Sequence, residues 1–210
     1  MAITERDKMY KGLLFVVSGP SGAGKGTICK RLAERFNIHL SVSMTTRVAR
    51  TGEEEGISYY FTSKKVFADV LAKGGFLEHA EVYGNLYGTP KDKVIEQLER
   101  GKDVVLEIDI QGAMQIRRNY PAGKFIFILP PSMAELRKRI TGRGSETEET
   151  INLRMREALK EVSYIGKYDY CVVNGDLEEA VNRVGAIITA EHSRVSEDIY
   201  RLIEQYKEEV

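Results

Sequence analysis

Residues 13–27, LLFVVSGPSGAGKGT, restrict the folds open to this chain more than any other stretch. Five consecutive apolar residues, Leu13 to Val17, read as a short strand buried on both faces. Ser18 to Gly24 then turn the chain sharply, and Lys25 opens a helical period in which Ile28, Leu32 and Phe36 recur four apart. Strand, glycine-rich loop, lysine and helix is the arrangement that cradles phosphate. Glycines let backbone N–H groups converge on phosphate oxygens with no Cβ in the way. The helix N-terminus adds partial positive charge there, and Lys25 adds a full one. Gly19, Pro20, Ser21, Gly22, Ala23, Gly24, Lys25, Gly26 and Thr27 are therefore the candidate nucleotide ligands. The plain alternative is a glycine-rich turn entering an ordinary helix, but the flanking strand and helix favour the phosphate loop.

Composition sets the bounds. A chain of 210 residues fits one domain with insertions, or at most two small ones. Lysine plus arginine equals aspartate plus glutamate at 31 each, so no global charge calls for nucleic acid or an anionic membrane. Any charge that matters must be local. Cys29 and Cys171 form no Cys-x-x-Cys pair and no Cys/His cluster, which argues against a disulfide framework or a zinc site. The first residues, MAITERDKMYKG, are too charged for a signal peptide, and no apolar run approaches membrane-spanning length. The expectation is a cytoplasmic protein.

Along the chain, His39–Val42 is a strand candidate, and the polar stretch Met44–Ser58 leads to an extended Tyr59–Phe61. Ser63 caps a helix whose Val66, Phe67, Val70 and Leu71 form one apolar stripe ending at Gly74-Gly75. Phe76–Val82 and Leu86–Gly88 read as strands about a Gly84-Asn85 turn, and a helix runs over Lys91–Arg100. Val104–Ile110 is a second buried strand with Glu107 and Asp109 in its C-terminal half, followed by a helix over Gln111–Asn119. Phe125–Leu129 is a third strand. Ser132 caps a helix to about Ile140, a polar helix spans about Thr147 to Tyr164, Tyr170–Val173 is a fourth strand, and Leu177 opens a further helix. Buried strands separated by helices predict an α/β fold: a parallel, doubly wound sheet with helices on both faces and ligands at the strands' carboxyl ends. Residues 43–90 read as a small mixed-sheet insertion, and residues 132–164 as a helical lid.

Charge clusters fall in those two attachments. Arg47 and Arg50 lie three apart in a non-helical segment, where guanidinium forks grip a phosphate or carboxylate bidentately. A solvated basic loop is the competing reading. Tyr59 and Tyr87 can supply hydroxyls to the same anion, or simply pack in their strands. Glu78, by strand alternation, falls opposite the apolar residues of Phe76–Ala80, or is a surface carboxylate. Arg139 and Arg143 share a helix face if the helix persists that far, and Arg154 follows on the next helix. His39, His79 and His192 show no metal-ligand spacing and read as structural or exposed.

Six segments together carry a family resemblance: Gly19–Thr27, Ser43–Arg50, Gly84–Gly88, Glu107–Gly112, Phe127–Ser132 and Gly142–Glu149. In order and spacing, over about residues 11–191, the chain resembles guanylate kinase, a nucleoside monophosphate kinase of the P-loop class. The resemblance implies transfer of the ATP γ-phosphoryl group to GMP, giving ADP and GDP, with Mg²⁺ and a role in purine nucleotide metabolism and GMP recycling. It implies small-molecule partners only, with no nucleic acid and no membrane. It also implies site roles. Arg47, Arg50, Tyr59 and Tyr87 hold the GMP phosphate, Glu78 accepts from the guanine N1–H and 2-amino group, and Ser43 and Thr89 contact the base. Asp109 lies between the base and the magnesium water shell, with no direct protein ligand to the metal. Lys25, Arg139, Arg143 and Arg154 are the catalytic cations around the transferring phosphoryl group, and Asn174 is near the adenine.

Two features depart from the pattern. Gly26 stands where many phosphate loops carry a magnesium-binding hydroxyl, and residues 193–210 extend past the matched part. There Val195, Ile199, Leu202 and Tyr206 form a helical stripe expected to pack on the chain's own core, with a subunit contact as the second reading. Two other functions fit part of the pattern: a kinase for AMP, and a scaffold module that binds phosphopeptides in the GMP site. Glu78 argues against the first, because adenine's edge pairs a donor with the N1 acceptor. An intact phosphate loop argues against the second.

Overall fold

The computed structural model describes residues 11–82, 84–142, 147–195 and 197–209. Its elements begin with β1 (Leu14–Ser18), α1 (Lys25–Arg35), β2 (Ile38–Leu40), β3 (Met44–Thr45), β4 (Tyr60–Phe61) and α2 (Lys64–Ala72). Next come β5 (Phe76–Val82), β6 (Asn85–Pro90), α3 (Lys91–Glu99), β7 (Asp103–Glu107), α4 (Ile110–Asn119) and β8 (Lys124–Leu129). The chain continues with α5 (Met133–Thr141), α6 (Glu148–Val162), β9 (Tyr170–Val173), α7 (Leu177–His192) and α8 (Glu197–Glu208).

The main sheet is wholly parallel, in the order β2-β7-β1-β8-β9, with β1 at its centre. Every residue of β1 is buried, which is why its sequence is a continuous apolar run rather than an alternating one. Successive side chains still go to opposite layers. Phe15 and Val17 join Ile28 and Leu32 of α1 and Val181 and Val184 of α7. Leu14 and Val16 join Leu98 of α3 and Ala113 and Ile116 of α4. The sheet is thus covered on both faces, as the run of buried strands predicts. Parallel pairing puts the carboxyl ends of β1, β7, β8 and β9 along one edge, and the loop after β1 opens there.

A second, mixed sheet of order β4-β3-β6-β5 is built entirely from residues 44–90. β5 rests on α4, where Asn119 Nδ2 donates to the Leu77 carbonyl at 2.7 Å and Gln115 Nε2 donates to the His79 carbonyl at 2.9 Å. The α5–α6 pair has its own small core, with Leu136 and Ile140 against Ile151 and Ala158. Each of these helices starts on a predicted type of cap, Ser132 accepting from the Glu135 N–H and Thr147 from the Thr150 N–H.

Three expectations are corrected. β7 ends at Glu107, and Asp109 leaves the strand to cap α4, its Oδ1 accepting the Gly112 N–H at 2.7 Å. An aspartate at that point competes with the strand ladder for its own backbone and wins as a helix cap. On α2 only Phe67 is buried, stacked on Phe76 with ring centroids 4.4 Å apart, while Val66 and Leu71 are exposed. A helix flanking a small sheet has one covering layer, too narrow to hide a four-residue stripe. The C-terminal stripe also stays out of the core. Val195 precedes α8 and is 71% exposed, Tyr206 is exposed, and Ile199 and Leu202 are half-buried. No helix of the described residues is long and apolar enough to cross a membrane.

Candidate active site

The loop between β1 and α1 is shaped by neighbours that leave no space for side chains. Gly24 caps α1 with φ 94°, a left-handed backbone that favours glycine, and a Cβ there would lie 2.3 Å from Asn174 Nδ2. Asn174, buried just beyond β9, donates that amide to the Ala23 carbonyl at 2.7 Å, fixing the loop from behind. A Cβ at Gly22 would touch Leu136 and Ile140 of α5 at 3.1 and 3.2 Å, so the α5–α6 pair packs directly on the loop. Lys25 Nζ folds back to donate to the Gly19 and Pro20 carbonyls at 2.6 and 3.2 Å.

Lys25 is ringed by acids. Burial pushes its ammonium below the usual lysine range, while Glu107, Glu161 and Asp109 pull the other way. Burial likewise pushes the Glu107 and Glu161 carboxyls up, and Lys25 opposes both shifts. The sequence reading missed Glu107 and Glu161 as members of this cluster. Glu107's place at the end of a buried strand was a usable signal, whereas Glu161 sits in a long polar helix with nothing to distinguish it. Glu107 also gives a physical reason for glycine at 26. A Cβ there would lie 3.1 and 3.2 Å from its two carboxylate oxygens, closer than ordinary contact.

Arginines reach the loop from the α5–α6 pair. Arg154 Nη2 donates to Ser21 Oγ at 2.7 Å. Arg139 lies on α5, its Nη2 donating to the Asn174 carbonyl at 3.0 Å and its Nε to Glu135 at 3.2 Å. Arg143 lies outside the described residues; α5 ends at Thr141. Thr27, in the first turn of α1, is exposed.

The second constellation belongs to the mixed sheet. Arg47 pairs with Glu53 at 2.7 Å, lies over the Tyr59 ring at 5.3 Å and has the Tyr87 hydroxyl beside it. The bond to Glu53 first, and the nearby Tyr87 hydroxyl after it, raise the guanidinium's proton affinity further, so it is always charged. Tyr59 and Tyr87 meet edge-on at 5.9 Å, and the Arg50 N–H donates to Glu53 at 2.8 Å. Arg47, Arg50, Tyr59 and Tyr87 are therefore neighbours, with Glu53 as a fifth member that the sequence reading did not identify.

Glu78 is buried. Phe76, Leu77 and Glu78 are buried in succession, and the register with β6 shifts between Phe76 and His79, so strict alternation does not hold there. Thr89 Oγ1 donates to Glu78 Oε1 at 2.6 Å, and Thr89 is itself buried. Burial raises the Glu78 carboxyl above the usual range, and the bond from Thr89 restrains the rise. A Cβ at Gly112 would lie 3.1 Å from Glu78 Oε2 and 3.4 Å from Asp109 Oδ1, so the two acids face one point at the start of α4. Ser43 lies just before β3, its carbonyl accepting the Tyr60 N–H at 2.9 Å. Beside Asp109, a cavity of about 570 Å³ opens between α4 and α6, lined also by Gln111, Arg118, Glu157 and Glu161. Among the described residues no cluster of three or more histidines, cysteines or acids can hold a metal ion.

Comparison with known proteins agrees with this geometry. The family model described as guanylate kinase matches residues 11–191. The guanylate kinase of Clostridium tetani (strain Massachusetts / E88) is 58% identical over 187 residues, covering 89% of this chain and 90% of the relative. That of Clostridium acetobutylicum is 57% identical over 185 residues, covering 88% of each. The crystal structure of guanylate kinase from Anaplasma phagocytophilum superposes with a TM-score of 0.71 at 37% identity, covering 89% of this chain and 90% of that one. A phosphate loop backed by Asn174, a tyrosine-flanked arginine and a buried carboxylate in the attached sheet, and a match across nearly the whole sequence have one common explanation: the chain belongs to the guanylate kinase family.

Proposed function

We propose that the two constellations are two nucleotide sites facing one another, ATP on the loop and GMP on the mixed sheet. The reaction is transfer of the ATP γ-phosphoryl group to GMP, giving ADP and GDP. Gly19, Pro20, Ser21, Gly22, Ala23, Gly24, Gly26 and Thr27 offer backbone or hydroxyl groups to the ATP phosphates, and Asn174 borders the adenine side. Lys25, Arg139, Arg143 and Arg154 gather about the group in transfer. Arg47, Arg50, Tyr59 and Tyr87 hold the GMP phosphate. Glu78, with Ser43, Thr89 and Asp109, reads the base. Residues 43–90 act as the GMP-binding insertion and residues 132–164 as the lid.

Phosphoryl transfer asks little covalent work of a protein. It needs two anions aligned and their charge offset, with water kept away as a competing acceptor. The acceptor oxygen belongs to GMP, so no nucleophilic side chain is required. Magnesium, when bound, draws charge from the phosphate oxygens of ATP. The acids near the loop suit an ion that keeps its waters, with Asp109 and Glu107 as their hydrogen-bond acceptors, better than one stripped onto protein ligands.

The observation that carries guanine selectivity is the buried Glu78 carboxylate held by Thr89. A carboxylate satisfies the two adjacent donors of guanine and repels the N1 acceptor of adenine. The test is ATP-dependent phosphorylation of GMP, AMP, UMP and CMP side by side, with Glu78→Gln alongside. We expect GMP to dominate and the variant to lose about ten- to a hundredfold of the GMP-to-AMP ratio in kcat/KM, the worth of one charge-assisted bond. An unchanged ratio would place base recognition elsewhere.

A further inference from the structure

The side-chain amide of Gln115 holds one residue of β5 by both of its backbone groups. Its Nε2 donates to the His79 carbonyl at 2.9 Å, and its Oε1 accepts the His79 N–H at 3.1 Å. Four residues on, Asn119 Nδ2 donates to the Leu77 carbonyl at 2.7 Å. β5 is the outer strand of the mixed sheet, so the backbone groups of alternate residues have no strand to meet on that side. Leu77 and His79 are two apart, and both turn this free edge to α4. Between them lies Glu78, where the ladder is irregular: β5 takes three steps from Phe76 to His79 while β6 takes two from Pro90 to Gly88. A bulge interrupts the ladder that would otherwise fix the residue in its bend. Here the two flanking residues are fixed by a helix instead. Gly112, Gln115 and Asn119 recur three and four apart along one face of α4, and a Cβ at Gly112 would lie 3.1 Å from Glu78 Oε2.

We propose that Gln115 is a positioning residue for base selection, setting the Glu78 carboxylate through the backbone of His79. The inference rests on the reading of Glu78 as the group that meets guanine. A side-chain amide carries an acceptor and a donor side by side, so it can stand where the N–H and C=O of a neighbouring strand would stand. That pairing selects one orientation of the His79 backbone, and with it one exit for the Glu78 side chain from the bulge. Thr89, on β6, then meets Glu78 Oε1 at 2.6 Å, and Oε2 is left above Gly112 for the incoming base. α4 is itself anchored in the main core by Ala113 and Ile116, and Asp109 caps its start. One helix therefore sets both acids where they face each other, and Gln115 carries its rigidity across to the mixed sheet. Without the amide, Glu78 keeps Thr89 but loses its fixed direction.

The test uses the full chain and reads the ratio of kcat/KM for GMP to that for AMP in a double-mutant cycle. Gln115→Met keeps the length of the side chain and removes both bonds. It should lower the ratio about tenfold, the worth of one or two net hydrogen bonds, through the KM for GMP and with the KM for ATP unchanged. Added to Glu78→Gln, it should cost the ratio nothing further, because the group it positions is no longer selective. Ile116→Val trims the buried face of the same helix and controls for stability: it should lower Tm and leave the ratio alone. Gln115→Glu is the second variant, and it serves if the methionine variant does not fold. It keeps the acceptor for the His79 N–H but sets a carboxylate against the His79 carbonyl, so it too should lose selectivity. An unchanged ratio in the Gln115 variants, or a loss that adds in full to that of Glu78→Gln, overturns the inference. An equal loss in Ile116→Val also overturns it, since stability alone would then account for the effect. If Glu78→Gln by itself leaves the ratio unchanged, the base is read elsewhere, and the underlying reading fails together with the inference.

Discussion

Thr89→Val is the most direct probe of how the base site is built. Valine keeps the branched shape and removes the hydroxyl that donates to Glu78 Oε1 at 2.6 Å. Both residues are buried, so water cannot replace the bond cheaply. A lost hydrogen bond to a charged group costs about 1.5–3 kcal/mol of stability, roughly a ten- to 150-fold change in the folding equilibrium. Thr89→Ser is the matched control, since it keeps the donor and removes one methyl, at about 0.8 kcal/mol. The pH dependence has a definite sign. Burial holds the folded carboxyl of Glu78 above its unfolded value, so its contribution is most favourable below the ordinary carboxylate range and is lost as pH rises through the folded pKa. Removing Thr89's bond raises the folded value further, so the cost of Thr89→Val should be large at pH 7.5 and shrink toward pH 4.5. Urea unfolding at both pH values, with unchanged m, measures it. A serine variant less stable than the valine variant, or a valine penalty independent of pH, would refute the claim that the hydroxyl serves the Glu78 charge.

Two further outcomes follow from the loop. Lys25→Ala should lower kcat by about a hundred- to a thousandfold, the usual effect of removing one group that stabilises developing charge, while calorimetric GMP affinity persists; parallel loss of both would break the separation of the two sites. Gly26→Ala should press on the Glu107 carboxylate at about 3.1 Å and raise the KM for ATP severalfold. Its thermal stability should hold, because alanine regains up to about 1 kcal/mol of helix propensity; an unchanged ATP KM would mean that Glu107 yields freely.

What the sequence made legible, and what it did not, divides along physical lines. The strand at 14–18 and the helix at 25–35 could be placed because a doubly covered strand must be continuously apolar and a helix must repeat its apolar residues. Caps at Ser63 and Ser132 were legible because a single side-chain oxygen satisfies the first free N–H groups, whereas Thr147 was placed only as the approximate start of its helix. Glu78 was found as a candidate but for an incomplete reason: alternation cannot anticipate a register shift, and the residue is buried in a run of three. Glu53, Glu107 and Glu161 act through tertiary proximity to Arg47 and Lys25, which no local pattern encodes. The C-terminal stripe shows the converse, because amphipathic spacing in α8 specifies a face and says nothing of what covers it.

Those partner acids give the site a common electrostatic logic. Arg47 is paired with Glu53, Arg139 with Glu135 and the Asn174 carbonyl, and Arg154 with the Ser21 hydroxyl. Left unpaired where they are partly buried, these cations would lose solvation without compensation and the folded chain would be less stable. Paired and partly exposed, each bond is weak enough to exchange, since ion pairs in contact with solvent contribute about a kcal/mol or less. On the proposed reading, a phosphate that displaces Glu53 swaps one anion for a more highly charged one and does not have to assemble the cation. Balance over the whole chain, 31 basic against 31 acidic residues, is met locally here: Glu53 and Glu135 pair with Arg47 and Arg139 and hold them in place.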